Sequence, residues 1–421
     1  MAPRLSPLAS GVLPLWQALP PPCPSVTGVV VVPVRDEATH LPVALAALAA
    51  QVDAVGRAID PDSFEVLVLA NNCSDGSVAV ARACAAAHPR LRLHIAEADI
   101  PPPRAHIGYV RGQLVDEACR RLEAGGRADG FVASTDGDSR VALDWLAAIR
   151  AELAAGADAV GGRIATDPGQ PLAADPLRRQ RLDTSHSLLR SRLASLLDPD
   201  PVDPWPRHHQ HFGASLAVTV RAYRQVGGMP AVEWLEDEAL VRQLSRADLR
   251  VRHSPRVRVT TSGRLDGRAA VGLAWQLRQW ADARPGFDET VVESPARYAR
   301  ALLVRPRLRS LWARTRVRAA AAPTAAELAP LADALSLAES QLAAAWGEAR
   351  TFGALWDDLD TGRQQHQGGD GDRDRVPITQ AVRMLRTLVQ LAARRAERPG
   401  RAVLPAVAAV AAVDASNTSS R

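Results

Sequence analysis

Apolar and polar positions along this 421-residue chain fall into short runs of two alternating kinds. "GVVVVPV" (28–34) is an unbroken β-branched run, the pattern of a strand covered on both faces. "EVLVLA" (65–70), "LRLHIA" (91–96) and "GFVAST" (130–135) repeat that character. Between them lie stretches of helical composition: "LPVALAALAAQ" (41–51), "SVAVARACAAA" (77–87) and "GQLVDEACRRLEA" (112–124), the last with Leu114, Ala118 and Leu122 on one face. "LDWLAAIRAELAAG" (143–156) follows the fourth strand. This alternation predicts an α/β fold with a mostly parallel sheet flanked by helices. Such sheets take ligands at the carboxyl ends of their strands. "RDE", "NNCSDGS" and "TDGDS" stand there, after the first, second and fourth strands.

The rhythm then breaks. Residues 166–210 hold one predicted helix, 182–197, between proline-rich flanks. "ASLAVTV" (214–220) and "RVRVTTS" (256–262) return to strand character, with "EDEALVRQLSRA" (236–247) helical between them. From about Ala296 the pattern is helical, interrupted by a polar loop at 364–375. The expected organisation is a proline-rich N-terminal arm (1–26), an α/β domain (27–290) and a helical C-terminal region (291–421) frayed from Asp414.

Composition narrows the function classes. Hydrophobic residues are 47% of the chain and charged residues 23%, enough for a substantial core and too apolar for global disorder. All 51 basic residues are arginine, and the net charge is only +5. They are scattered, and aromatics are 4%, which argues against a nucleic-acid groove. Cys23, Cys73, Cys84 and Cys119 form no C-x-x-C pair, so neither a zinc knuckle nor a redox motif is indicated and a cytoplasmic setting is expected. Prolines interrupt the apolar N-terminal stretch, against a signal peptide. "AVLPAVAAVAAV" from Ala402 falls short of the ~20 residues a membrane span needs. The helix at 377–396 carries Ile378, Ala381, Leu385, Leu388 and Ala392 on one face and arginines elsewhere. That stripe suits internal packing first and peripheral contact with the inner membrane face second.

Asp136 and Asp138 flank Gly137 just after the fourth strand. D-x-D is a cheap pattern, recurring at Asp60/Asp62, Asp198/Asp200 and Asp358/Asp360, and here it could simply cap the helix that follows. Its place at a strand end is what separates it from the others. Paired carboxylates supply the hard oxygen ligands of Mg2+ or Mn2+, with phosphate oxygens and water completing the shell.

The order of segments resembles the family 2 glycosyltransferases of the GT-A fold. "VVVVPVRDEATHL" is similar to that family's opening strand and "VLVLANNCSDGS" to its second. "ASTDGDSRVALDWL" is similar to its metal-binding D-x-D, "FGASLAVTVRAYRQVGGMP" to the segment entering the acceptor site, and "WLEDEALVRQL" to the glutamate-aspartate motif that supplies the base. "VTTSGR" resembles a late strand, and "WQLRQW" (275–280) loosely echoes Q-x-x-R-W. Together these cover roughly residues 27–285. The resemblance implies an inverting, metal-dependent transfer of a sugar from a nucleotide-diphosphate donor to a hydroxyl acceptor on a glycan, lipid or small molecule. It places Pro33, Val34, Arg35 and Glu37 beside the nucleotide base and ribose, with Asn71, Asp75, Asp136 and Gly137 also on the nucleotide-sugar side. It makes Asp136 and Asp138 the metal pair and Asp237 the general base, with Glu236 beside it.

Two positions depart from the family pattern. Ala70 stands where an aspartate usually reads the base, which leaves the nucleotide open, and Asp36 replaces an asparagine. His208, His209 and His211 read as an acceptor-site loop or surface, His253 as a structural histidine or an added metal ligand, and Arg104 and Arg111 as phosphate contacts or background arginines. Two other functions compete. One is a magnesium-dependent phosphatase-like hydrolase, since "DGDS" is also similar to a haloacid-dehalogenase loop, although the lysine that chemistry needs is missing. The other is a catalytically degenerate scaffold that binds a nucleotide-sugar.

Overall fold

The four apolar runs are four parallel strands of an eight-stranded sheet: β1 (Gly28–Val34), β2 (Phe64–Asn71), β3 (Leu93–Ala98) and β4 (Phe131–Ser134). Every residue of β1 and β2 is buried, as unbroken apolar runs demand. The computed structural model describes residues 16, 19–169, 172–265, 267, 271–283, 289–317, 323–365 and 375–396. The expected tail, the Ala402 stretch, most of the polar loop and much of the N-terminal arm lie outside them. Two compact units share the chain. The first is drawn from Met1–Ala173, Gln210–Ser245 and Leu249–Ala281, and the second from Ala174–His209, Arg246–Asp248 and Asp282–Arg421.

In the first unit, α1 (Leu41–Ala49), α2 (Ser77–Ala87), α3 (Ile107–Ala124) and α4 (Trp145–Ala154) connect and cover the strands, while β5 (Ser139–Val141) and β6 (Ala159–Thr166) extend the sheet. The chain then forms α5 (Ala174–Leu197) in the second unit and returns as β7 (Leu216–Thr219), α6 (Val220–Gln225), α7 (Glu236–Arg246), β8 (Val251–Thr261) and α8 (Leu273–Asp282). The sheet order is β3-β2-β1-β4-β7-β6-β8-β5. β7 runs antiparallel to β4 and β6, β8 parallel to β6, and β5 antiparallel to β8. The expected class, a mostly parallel sheet flanked by helices, is what the structure shows.

One core joins the sheet to α3 and α7, with Val29, Val31, Leu67, Leu114, Ala118, Leu240 and Leu244 in it. Trp16 is 1% exposed in the same cluster, so this residue of the expected arm is buried in the core. Glu65 is buried within β2, where Arg121 of α3 donates to it at 2.8 Å. Burial works against its charge, but the nearby His94 ring and the hydrogen bonds from Arg121 hold it down at about 2.

The second unit is helical. It adds to α5 the helices α9 (Pro295–Val317), α10 (Ala325–Ala334), α11 (Glu339–Glu348), α12 (Phe352–Gln365) and α13 (Ile378–Ala396), with a two-stranded pair β9 (Val291–Glu293) and β10 (Arg375–Pro377). The apolar stripe of α13 packs inward: Leu385 and Leu388 cluster with Leu193 and Ala194 of α5 and Ala299 and Leu302 of α9. Among the described residues no helix is long and apolar enough to cross a membrane.

Candidate functional site

The chain changes its direction of travel through the sheet at β1, since β2 and β3 lie on one side and β4 on the other. In open α/β sheets that switch point is where ligands bind, outside the carboxyl ends of the strands. The loops after β1 and β4 meet there. The Thr135 N–H bonds Val31 O at 3.1 Å, and the Ser139 N–H bonds Asp136 O at 3.1 Å, closing the "TDGD" turn. A Cβ on Gly137 would lie 3.3 Å from both Glu37 Cγ and Val34 Cγ2, so the turn rests directly on the β1 loop.

β8 brings a cation to this turn. Ser139–Val141 of β5 pair with Val259–Thr261 of β8, and the chain continues to Arg264. Arg264 donates to Glu37 through both terminal nitrogens and lies 2.9 Å from Asp138 Oδ2. The hydroxyls of Ser139 and Thr261 are each 3.4 Å from Asp138 Oδ1. Burial, then repulsion from Asp136, pushes Asp138 up to about 6, with Arg264 working in the opposite direction. Asp136 is more open, its side chain 34% exposed.

A second arginine ties this turn to the start of α7. Arg111 of α3 is 4% exposed. Its Nε donates to Glu236 Oε1 at 2.7 Å, Nη2 to Asp136 Oδ1 at 3.0 Å, and Nη1 to Gly213 O at 3.1 Å and to Ser134 Oγ. Burial alone would lower its pKa, but Asp136, Glu236 and Asp237 outweigh that and raise it. Asp237 accepts at Oδ2 from the Gly213 N–H (2.6 Å) and at Oδ1 from the Glu238 N–H (2.8 Å). Burial, then the charge on Glu236, pushes Asp237 up to about 6, with Arg111 opposing.

The β1 and β2 loops hold a third group. Asp36, at φ 53°, accepts at one oxygen from the N–H groups of Ser74 (2.7 Å) and Asp75 (3.2 Å) and from the Ser74 hydroxyl. Asp75 accepts from the Ser77 N–H at 2.9 Å and the Ala38 N–H at 3.0 Å. Three donors converge on one oxygen, and the charge of a carboxylate at position 36 strengthens each of those bonds. Asp36, Cys73 and Asp75 also bring ligand atoms within 4.8 Å of one another, and among the described residues no other such three-ligand group occurs.

The remaining predicted positions are placed as follows. Pro33 and Val34 are buried in register with Leu69 and Ala70, and Arg35 is exposed. Ala70 is 1% exposed, so the base-reading position of the family pattern is here a packed core site. Asn71 is buried at the end of β2, while the Asn72 amide bonds the Ile100 backbone. His211 Nδ1 lies 3.1 Å from His253 Nε2 on β8.

The donor set suits a hard divalent cation. Glu37, Asp136, Asp138, Glu236 and Asp237 face two guanidiniums, Arg111 and Arg264, and Asp138 is a half-buried carboxylate not fully compensated by them. Asp136 and Asp138 would hold Mg2+ or Mn2+ with part of the shell left to phosphate and water.

Sequence reasoning gave no role to Arg264 or Gly213 and read Arg111 as a phosphate contact or a background arginine. A signal for Arg111 was present: it sits three positions before Leu114 and seven before Ala118, on the apolar face of α3. A cation on such a face requires buried acids elsewhere in the chain.

No family model matches the sequence, and no curated protein matches it. Similar solved structures include a mannosyltransferase from Pyrobaculum calidifontis in complex with GDP-Man and Mn2+, at 18% identity over 92% of each chain and a TM-score of 0.39. S. aureus TarS 1–349 in complex with UDP-GlcNAc is 15% identical over 82% of this chain and 95% of that one, at a TM-score of 0.41. Glucosyl-3-phosphoglycerate synthase from Mycobacterium tuberculosis, with Mn2+, UDP-Glc and phosphoglyceric acid, is 14% identical over 63% and 84%, at a TM-score of 0.35.

Proposed function

We propose that the first unit is a metal-dependent glycosyltransferase that moves a sugar, with inversion, from a nucleotide-diphosphate donor to a hydroxyl acceptor. The supporting observation is the double contact of Arg111. One buried guanidinium touches both Asp136 of the turn after β4 and Glu236 at the start of α7, so the acids of both motifs share one site at the switch point of the sheet.

In this reading the β1 loop and Asn71 border the nucleotide, and Asp136 and Asp138 carry the metal-diphosphate. The cation, when bound, would neutralise charge on the departing diphosphate. Asp237 takes the acceptor hydroxyl's proton while the acceptor oxygen bonds the anomeric carbon and the bond from that carbon to the diphosphate oxygen breaks. A carboxyl pushed up to about 6 suits a base working near neutral pH. Glu236, paired with Arg111, is less available for that proton.

Thermal unfolding with uridine, guanosine and thymidine diphosphates, with and without Mn2+, tests the binding half of the proposal. The matching nucleotide at a hundredfold excess over its Kd adds about 2.7 kcal/mol of apparent stability, and only with the metal. Release of nucleoside diphosphate from the corresponding sugar donor tests the transfer half. Metal-independent binding, or binding without turnover over a panel of donors and acceptors, would overturn the proposal in favour of a scaffold.

A further inference from the structure

Gly213 lies between the two acid groups. Its carbonyl accepts from Arg111 at 3.1 Å and its N–H donates to Asp237 at 2.6 Å. The backbone of one residue therefore connects the guanidinium that holds Asp136 to the carboxylate read as the base. A Cβ there would crowd Arg111, lying 2.4 Å from its Cζ, 2.5 Å from Nη2 and 2.8 Å from Nε. Arg111 spends donors on Ser134, Asp136, Gly213 and Glu236, which come from β4, the turn after it, the segment before β7 and the start of α7. The planar fork of a guanidinium can serve such a set, whereas an ammonium is a point charge with one nitrogen.

We infer that Arg111 is a positioning residue that fixes the donor-side carboxylate, Asp136, relative to the base, Asp237, acting through Glu236 and the Gly213 backbone. The inference rests on the glycosyltransferase reading and adds that donor and acceptor chemistry share one mechanical element. Arg111 is 4% exposed, and the contacts that carry the inference are all to the protein's own groups. Its effect appears in the catalytic step, where a displacement of about 1 Å costs on the order of a hundredfold, more than in donor binding.

The test compares the full-length wild-type protein with Arg111→Lys and Gly213→Ala. Arg111→Lys keeps the charge and loses the fork. Gly213→Ala keeps Arg111 and pushes its flexible end aside, so it stands in if the lysine variant does not fold. Each is measured by thermal unfolding, by the Mn2+-dependent stabilisation that uridine or guanosine diphosphate gives, and by turnover of a UDP- or GDP-sugar with water as acceptor. The expected result is cooperative unfolding, retained nucleotide stabilisation, and a kcat lower by about a hundredfold with a much smaller change in donor KM. The rate-pH inflection of the wild type should also move. Unchanged kcat and pH profile in a folded variant overturn the inference alone. Loss of nucleotide stabilisation and kcat in proportion also overturns it, because the residue is then only scaffolding. Absence of both stabilisation and turnover in the wild type overturns the glycosyltransferase reading itself, and the inference with it.

Discussion

Two sets of aspartates in the first unit, Asp36 on one side and Asp138 with Asp237 on the other, are pushed in opposite directions by their environments. Asp36 is held below its ordinary value, chiefly by the Ser74 N–H. Asp138 and Asp237 are both pushed up to about 6, first by burial and then by an acidic neighbour. The residue type is the same; what differs is the depth of burial and the acidic neighbour, which at Asp237 outweigh two backbone donors. Asp36 and Asp75 spend their oxygens on N–H groups of neighbouring loops and hold backbone in place. Asp138 and Asp237 hold charge at a cost that a cation or a proton relieves. Where an acid is uncomfortable in its fold, chemistry is the better explanation for its presence.

The contrast can be broken most severely at Asp138. Asp138→Ala should abolish the Mn2+-dependent stabilisation by nucleoside diphosphate and lower transfer on the order of a thousandfold, read by thermal unfolding and product release. Asp237→Asn should leave nucleotide binding intact and lower transfer about a hundredfold or more, separating the two raised acids by role. If Asp237→Asn transfers at the wild-type rate, that residue is not the base. In the wild-type protein, kcat/KM should fall about tenfold per pH unit below about 6, as Asp237 of the free protein takes up its proton.

The smallest effect belongs to the other set. Asp36→Asn should cost about 1 kcal/mol in denaturant unfolding and leave the transfer rate within a few-fold. The pH dependence of stability should then carry opposite signs for the two sets. Asp237, raised from 3.8 to about 6, is protonated in the fold where the unfolded chain is ionised. Its contribution to stability is greatest below about 4 and is lost as pH rises to about 6. Asp36, lowered from 3.8, contributes above that value, and its contribution is lost as pH falls through its lower folded pKa. Urea unfolding from pH 3 to 7 of wild type, Asp36→Asn and Asp237→Asn measures each slope by difference.

β1, β2 and β4 were legible because every residue in them is buried and the strand is written as an apolar run, while β3 showed through its apolar residues although only Ala96 in it is buried. β5 has three residues, "SRV", too short for any periodicity. β6 was hidden by the glycine pair in "AVGGRIAT". Those glycines are there for packing: a Cβ on Gly161 would meet Gln210 O at 2.4 Å, and one on Gly162 would meet Ser215 Oγ at 2.1 Å. Sequence order named the acids of the site, since carboxylates at strand ends leave a local signature. It assigned no positioning role to the arginines that organise them. Arg111 and Arg264 work through partners more than a hundred residues away, Glu236 and Asp138 respectively, and no local pattern carries that distance.

The path of the chain through the second unit has a consequence for how the protein is made. α5 leaves the ribosome early, yet Leu385 and Leu388, which share its apolar cluster, belong to a helix that begins about 180 residues after α5 ends. At ~5–20 residues per second, that gap lasts on the order of ten to forty seconds. Throughout it Leu193 and Ala194 are without the neighbours from α13 that complete their cluster in the finished fold. Shortening the gene after the sheet would make the delay permanent. A chain ending near residue 290 keeps α5 and loses both α9 and α13, so it should aggregate even though every strand of the eight-stranded sheet has been synthesised.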